Sequence, residues 1–169
     1  MSTVIVRFPP LLLAVTVLQL AVLPEFRVAG VAGDALLMLT IAAGIAAGPE
    51  RGAVVGFVTG FVSDLFLQTP FGLSALVYSI TGYAVGSFGA SILRSAWWIP
   101  VLTALVASAA GVLGFAVAGT VLGQPHLITG RLVRITIVVA LVNGILAWPF
   151  VRLSRWGLAV SRAREPMLR

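Results

Sequence analysis

Few side chains in this 169-residue chain could carry out chemistry, and they are widely spaced. There is no cysteine and a single histidine, His126, which excludes thiol catalysis, disulfides and multi-histidine metal sites. All eleven basic residues are arginine, which excludes Schiff-base chemistry. Ser74 lies in the segment Gly72-Leu73-Ser74-Ala75-Leu76, which lacks the second glycine of a nucleophile elbow, and no histidine lies within an apolar segment to act as its base. We therefore expect no enzyme activity, no metal and no cofactor.

Two carboxylates, Asp34 and Asp64, lie beside long apolar segments. Asp34 directly precedes one such segment and is predicted to be a helix N-cap. Asp64 closes another, where the helix dipole opposes a carboxylate and exposure to lipid is costly, so it is expected to face protein or water. Two kinds of role stay open for Asp64. It is either a structural ion pair, with Arg134 as the cation, or a water-exposed group at the interface; or it is part of an outer vestibule or a partner site. An aspartyl dyad is not predicted, because both residues lie at helix ends.

A stripe of small residues leads to Asp64. Gly52, Gly56 and Gly60 precede it at steps of four residues. Each step turns only ~40° around a helix, so all four residues share one face. Such a flat face lets another helix pack closely, and we expect it to face a helix rather than lipid. These four residues and Arg134 form the candidate packing or partner site.

The composition indicates the class of protein. Hydrophobic residues make up 60% of the chain, charged residues 9%, and the mean hydropathy is +1.11, whereas soluble domains carry ~25% charged residues. We predict an all-α integral membrane protein, with one domain over residues 1–169 that forms a six-transmembrane-helix bundle. Asn143 is expected to make an interhelical hydrogen bond in the last span. The predicted spans are residues 8–23, 35–48, 52–67, 71–93, 97–121 and 131–151, followed by a basic tail, 152–169.

Prolines and arginines near the ends of the spans predict where spans begin and which side of the membrane each end faces. Pro9-Pro10 is predicted to open the first span, and Pro49-Glu50-Arg51 to form a tight turn before the third. Six spans place eight arginines on the side of both termini and three on the other side. The positive-inside rule makes the first side cytoplasmic, where the partner implied is anionic lipid. Nucleic acid is not predicted as a partner, because the basic groups are scattered over short loops.

The segment from Gly33 to Gly86 contains a recognisable series of residues: Asp34, Pro49-Glu50-Arg51-Gly52, Gly56-Phe57, Gly60, Asp64, Pro70-Phe71-Gly72, Ala75-Leu76 and Gly82-Tyr83. In this series the segment resembles the MreD family of bacterial rod shape-determining proteins. Size, six spans and a basic tail also fit the family. Gly33 stands where members of that family usually carry a proline before the aspartate.

The resemblance implies a fold similar to the substrate-binding subunits of energy-coupling-factor transporters. It also implies a non-enzymatic adaptor of the cell-wall elongation complex, located in the bacterial cytoplasmic membrane. The partners implied are an MreC-like single-span protein, MreB, and the RodA and PBP2-like peptidoglycan synthases. The alternative is a vitamin-binding subunit of such a transporter. The first helix lacks the alanines four apart that often mark those subunits, because Leu18 follows Ala14 at that spacing.

Overall fold

The computed structural model describes residues 2–67, 70–92, 98–124 and 128–158. Within these ranges the chain is helical, with short connections and one isolated β-bridge between Val28 and Val31. A π-helical turn, Leu18–Val22, continues the first helix. The six α-helices are α1 Ser2–Val17, α2 Ala35–Ala47, α3 Pro49–Asp64, α4 Leu73–Ile92, α5 Ile99–Val121 and α6 Arg131–Gly157.

Helix α2 lies at the centre of the molecule. Every residue from Ala35 to Gly44 is buried, and all five other helices contact α2. A helix that is apolar on all sides has no polar face to expose to water, which is consistent with this central position. At ~1.5 Å per residue, its 13 residues extend over only ~20 Å, less than the ~30 Å thickness of membrane hydrocarbon.

Helices α3 and α4 form the closest pair. They run antiparallel, since Gly52 near the start of α3 meets Gly82 on α4, and Gly60 near the end of α3 meets Ser74. Gly48 alone connects α2 to α3, with a positive φ of 87°, which a glycine adopts without strain. Pro49 then occupies the first turn of α3, where its missing N–H costs nothing.

Contacts between distant segments define one end of the helical bundle. The guanidinium of Arg7 on α1 lies 5.5 Å from the ring centre of Trp156 on α6. Arg51 on α3 donates a hydrogen bond to the carbonyl oxygen of Leu158, at 3.3 Å. The beginning of α1, the beginning of α3 and the end of α6 therefore meet at this end, which we call the arginine end. The beginnings of α2, α4 and α6 lie at the opposite end.

Several helix boundaries differ from those predicted. Helix α1 begins at Ser2, so Pro9 and Pro10 lie inside it rather than at its start. The segment Pro49-Glu50-Arg51 was predicted to be a turn but forms the first turn of α3, because Gly48 makes the whole connection. Helix α6 continues through Pro149 to Gly157 and includes the predicted beginning of the tail. Residues 68–69 of the predicted turn, Arg94 to Trp97, His126 and the tail from 159 lie outside the described residues.

The lengths of the helices bear on membrane insertion. Of the described helices, α5 and α6 are long and apolar enough to cross a membrane by themselves. Shorter apolar helical segments comprise Val6–Val22, Ala35–Ala47 and Leu73–Phe88. The fold is all-helical, and these lengths are compatible with a helical membrane protein.

Candidate functional site at the Asp34 and Asp64 end

Asp34 caps α2, as the sequence predicted. Its backbone is extended, and its carboxylate accepts a hydrogen bond from the N–H of Leu37 at 2.9 Å. The hydroxyl of Tyr78 on α4 donates a second hydrogen bond to the other carboxylate oxygen. One aspartate therefore satisfies the first turn of α2 and also ties that turn to α4.

Polar side chains from two further helices complete this connection. Asn143 on α6 is fully buried and donates to the hydroxyl of Ser108 on α5 at 2.9 Å. Its amide oxygen accepts from the N–H of Asp34 at 3.3 Å. The predicted interhelical hydrogen bond of Asn143 is confirmed, and it joins α6 to both α5 and α2. Gln19 adds a bond from the end of the first helix, accepting from the N–H of Ala35 at 2.7 Å.

We expect Asn143→Ala to lower the free energy of unfolding by ~1–3 kcal/mol, because the buried hydroxyl of Ser108 loses its partner. Unfolding of the purified protein in mixed detergent micelles would measure this loss. Ser108→Ala and the double variant complete a double-mutant cycle, which should show a clear coupling energy. Strictly additive losses would mean that the two side chains do not stabilise each other.

Asp64 holds the first turn of α4. Its carboxylate accepts hydrogen bonds from the N–H groups of Gly72 at 2.9 Å, Ser74 at 3.0 Å and Ala75 at 3.3 Å. The residue is 3% exposed. A carboxylate at a helix N-terminus satisfies backbone donors that have no partner within the helix, and it is stabilised by the positive end of the dipole. The unfavourable position of Asp64 at the end of its own helix is therefore offset by α4.

The structure does not bring Arg134 to Asp64. Arg134 lies on the first turns of α6 with an exposed side chain. Among the described residues, the contacts of the Asp64 carboxylate are with backbone N–H groups, and no salt bridge joins it to Arg134. The ion pair that the sequence suggested is replaced by helix capping, because three N–H donors lie closer to Asp64 than any guanidinium.

The glycine face of α3, formed by Gly52, Gly56 and Gly60, is covered by α4. A Cβ atom added at any of the three would fall less than 3.0 Å from backbone atoms of α4. The expectation that this face packs on a helix is confirmed, and that helix belongs to the same chain. No room remains there for a helix from a partner, so a partner surface has to be sought elsewhere.

Helix packing also buries a polar pair that the sequence analysis missed. The hydroxyls of Thr40 on α2 and Thr59 on α3 lie 2.6 Å apart, and both residues are fully buried. Tyr78 and Ser74 were missed as well, although their spacing of four residues on an apolar helix places both on one face. That spacing of polar residues was the signal that could have found them.

Some of these polar side chains line a cavity of about 280 Å³, which we call the Asp34 cavity. Its polar wall contains Gln19, Asp34, Ser63, Ser74 and Tyr78. Asp34 and Asp64 each bond to the first turn of a different helix, which accounts for both carboxylates as structural groups. In the described part of the chain, no group of three or more histidine, cysteine, aspartate or glutamate residues could hold a metal ion.

Comparison with known proteins gives one match. The family model described as rod shape-determining protein MreD matches residues 2–155, nearly the whole chain. No curated protein matches the chain, and no solved structure does. The predicted similarity to the substrate-binding subunits of energy-coupling-factor transporters therefore stays a prediction, and the family match does not support the alternative of a vitamin-binding transporter subunit.

Proposed function

Because the chain belongs to the MreD family of rod shape-determining membrane proteins, we propose that it is a non-enzymatic adaptor of the cell-wall elongation complex. In this role it binds an MreC-like single-span protein and couples the MreB filament to RodA and PBP2-like peptidoglycan synthases. The family match carries the proposal. The buried carboxylates are consistent with it, since both are occupied in holding helices together.

We propose that all six helices cross the bacterial cytoplasmic membrane. The arginine end then faces the cytoplasm, with Arg7, Arg51, Arg152 and Arg155 among the described residues. Basic residues near the ends of spans favour the cytoplasmic side and attract anionic lipid. The opposite end, with the Asp34 cavity, faces outward. Both chain termini are cytoplasmic in this orientation.

The surface that best suits a partner helix is a groove between α4 and α5, which we call the α4–α5 groove. It has a volume of about 640 Å³ and an almost entirely apolar lining. On α5 the lining extends from Ile99 to Ala118, a length of ~28 Å at 1.5 Å per residue, which is close to the hydrocarbon thickness. Ala110 and Gly114 lie along the middle of the α5 wall. Small residues there allow a second helix to approach closely.

The partner contact can be tested by filling the groove. Ala110→Trp places a large side chain on the α5 wall, and we expect co-purification of the MreC-like protein to fall at least ~10-fold, because truncating or blocking a central interface position costs ~1.4 kcal/mol or more. Ile145→Trp on α6 is the matched control, since Ile145 is 80% exposed and lies away from the groove. The control should leave co-purification unchanged.

Two results would count against these proposals. Unchanged co-purification in both tryptophan variants, at equal amounts of folded protein, would place the partner on another surface. Depletion of the native protein tests the role itself, which predicts rounded cells and loss of lateral wall insertion. Cells that stay rod-shaped after depletion would overturn the adaptor role, whichever surface the partner uses.

A further inference from the structure

The Asp34 cavity is large enough for a small organic molecule. Its volume of about 280 Å³ corresponds to ~9 water molecules at ~30 Å³ each. One wall is polar and belongs to α2, α3, α4 and the end of the first helix. The other wall is apolar and includes Leu67, Val112, Phe115 and Val139. This division into a polar and an apolar wall is typical of sites that orient a small ligand.

One polar group on the wall has no partner. The hydroxyl oxygen of Ser74 is buried, with the residue 1% exposed, and among the described residues nothing hydrogen-bonds to it. Buried polar side chains are bonded in the great majority of cases, and each exception calls for an explanation. The backbone N–H of Ser74 bonds to Asp64, which fixes the residue in the first turn of α4. Ser74 lines the Asp34 cavity, and rotation of its side chain about χ1 would turn this hydroxyl towards a bound molecule, which would then supply the missing partner.

The charge of the lining indicates what kind of molecule fits. Asp34 is the only charged residue in the lining, and among the described residues it forms no salt bridge. The carboxylate accepts hydrogen bonds from Leu37 and Tyr78, with a weaker one from the backbone of Leu36, whereas it has about four lone-pair sites. Capacity therefore remains for a further donor, and a positively charged donor makes the strongest bond.

We propose that the Asp34 cavity binds a small molecule with a protonated amine and an apolar body. The ammonium group donates to Asp34 and Ser74, and the apolar body lies against Val112 and Phe115. This inference does not depend on the adaptor role, since it rests on the cavity alone.

The chain contains no cysteine, so a single introduced cysteine is the only thiol that a thiol-specific reagent can label. Val112→Cys places one thiol on the apolar wall and leaves the polar wall intact. In the purified full chain, we expect the cationic 2-aminoethyl methanethiosulfonate to label this thiol faster than the anionic 2-sulfonatoethyl reagent. The ratio of the cationic to the anionic labelling rate at Val112→Cys should be at least ten times the same ratio at Leu65→Cys. Leu65 is an exposed control position at the same end. Asp34→Asn should abolish the preference while keeping the N-cap, because asparagine caps helices as well as aspartate.

Benzylamine is the test ligand, since it combines an ammonium group with one ring. At millimolar concentration it should slow labelling of Val112→Cys at least fivefold, without effect on Leu65→Cys. Ser74→Ala should raise the benzylamine concentration needed for half-protection about fivefold. Benzyl alcohol, which lacks the charge, should protect less. Equal rates with the two reagents would overturn the proposal. Labelling that benzylamine does not slow would also overturn it, and would mean that the cavity holds only water.

Discussion

Gly56→Ala is expected to destabilise the protein severely, although it adds only one methyl group. The added Cβ would lie less than 3.0 Å from the carbonyl oxygen and carbon of Tyr78 and from the nitrogen of Ser79. These are backbone atoms of α4, so no side chain can rotate away to make room. The two helices would have to separate, which also loosens the contacts of Gly52 and Gly60. Overpacking lowers the free energy of unfolding by ~1–3 kcal/mol where neighbouring side chains can move aside. Because backbone atoms cannot, we expect a decrease of at least ~3 kcal/mol here.

Gly114→Ala provides the matched control in α5. A Cβ there would lie 3.7 Å from a methyl group of Val77, which is ordinary contact. Alanine also favours a helix by ~1 kcal/mol over glycine, so this variant should be as stable as the native protein or more so. The midpoint of thermal unfolding in detergent and the amount of protein in membranes measure both variants. Equal stability of Gly56→Ala and Gly114→Ala would show that α3 and α4 do not touch through their backbones.

Asp64→Asn is expected to lower stability, whereas Arg134→Gln is not. One Asp64 oxygen accepts from Ser74, and the other accepts from Gly72 and Ala75. An asparagine has one acceptor oxygen and one NH₂ group, so at least one N–H of the first turn of α4 loses its partner. Loss of hydrogen bonds to a buried charged group predicts a decrease of ~2–3 kcal/mol. Arg134 is exposed, and its change should stay within ~0.5 kcal/mol.

Comparing the two variants distinguishes the roles considered for Asp64. If Asp64 is a helix cap, Asp64→Asn reduces partner co-purification only in proportion to the loss of folded protein. If it contacted a partner, the folded protein would remain and co-purification would fall. Equal destabilisation by Asp64→Asn and Arg134→Gln would instead support the ion pair. Unfolding measurements and co-purification from the same membranes separate these three results.

The sequence predicted local features well. Asp34 stands directly before an apolar segment, and the N-cap preference of aspartate follows from chemistry within one turn. The spacing of Gly52, Gly56 and Gly60 likewise indicated a flat face for a helix. The interhelical hydrogen bond of Asn143 was predictable, because a buried polar amide in an apolar helix has no water to bond to and is costly without a protein partner.

The structure was needed to identify which helix packs against each predicted contact face. The glycine spacing is equally compatible with a helix of the same chain and with a partner's helix, and only the fold shows α4 there. Arg134 was chosen for Asp64 by charge alone, since backbone N–H groups carry no sequence signal. Pro49-Glu50-Arg51 has the residues of a turn, but proline is also common at the first position of a helix. Contacts between α3 and α4 decided the first two cases, whereas the local conformation of Gly48 decided the third.

The burial of α2 from Ala35 to Gly44 constrains the order in which the protein assembles. Much of its surface is covered by α4, α5 and α6, all of which follow it in the chain. If all six helices cross the membrane, as proposed, α2 enters it during synthesis before most of its final neighbours exist, and lipid or the insertion machinery covers it until they do. The short connection at Gly48 keeps α2 beside α3 throughout. Because α5 and α6 are synthesised last, the contacts that join them to α2, including the hydrogen bonds of Asn143 with Asp34 and Ser108, are the last that can form.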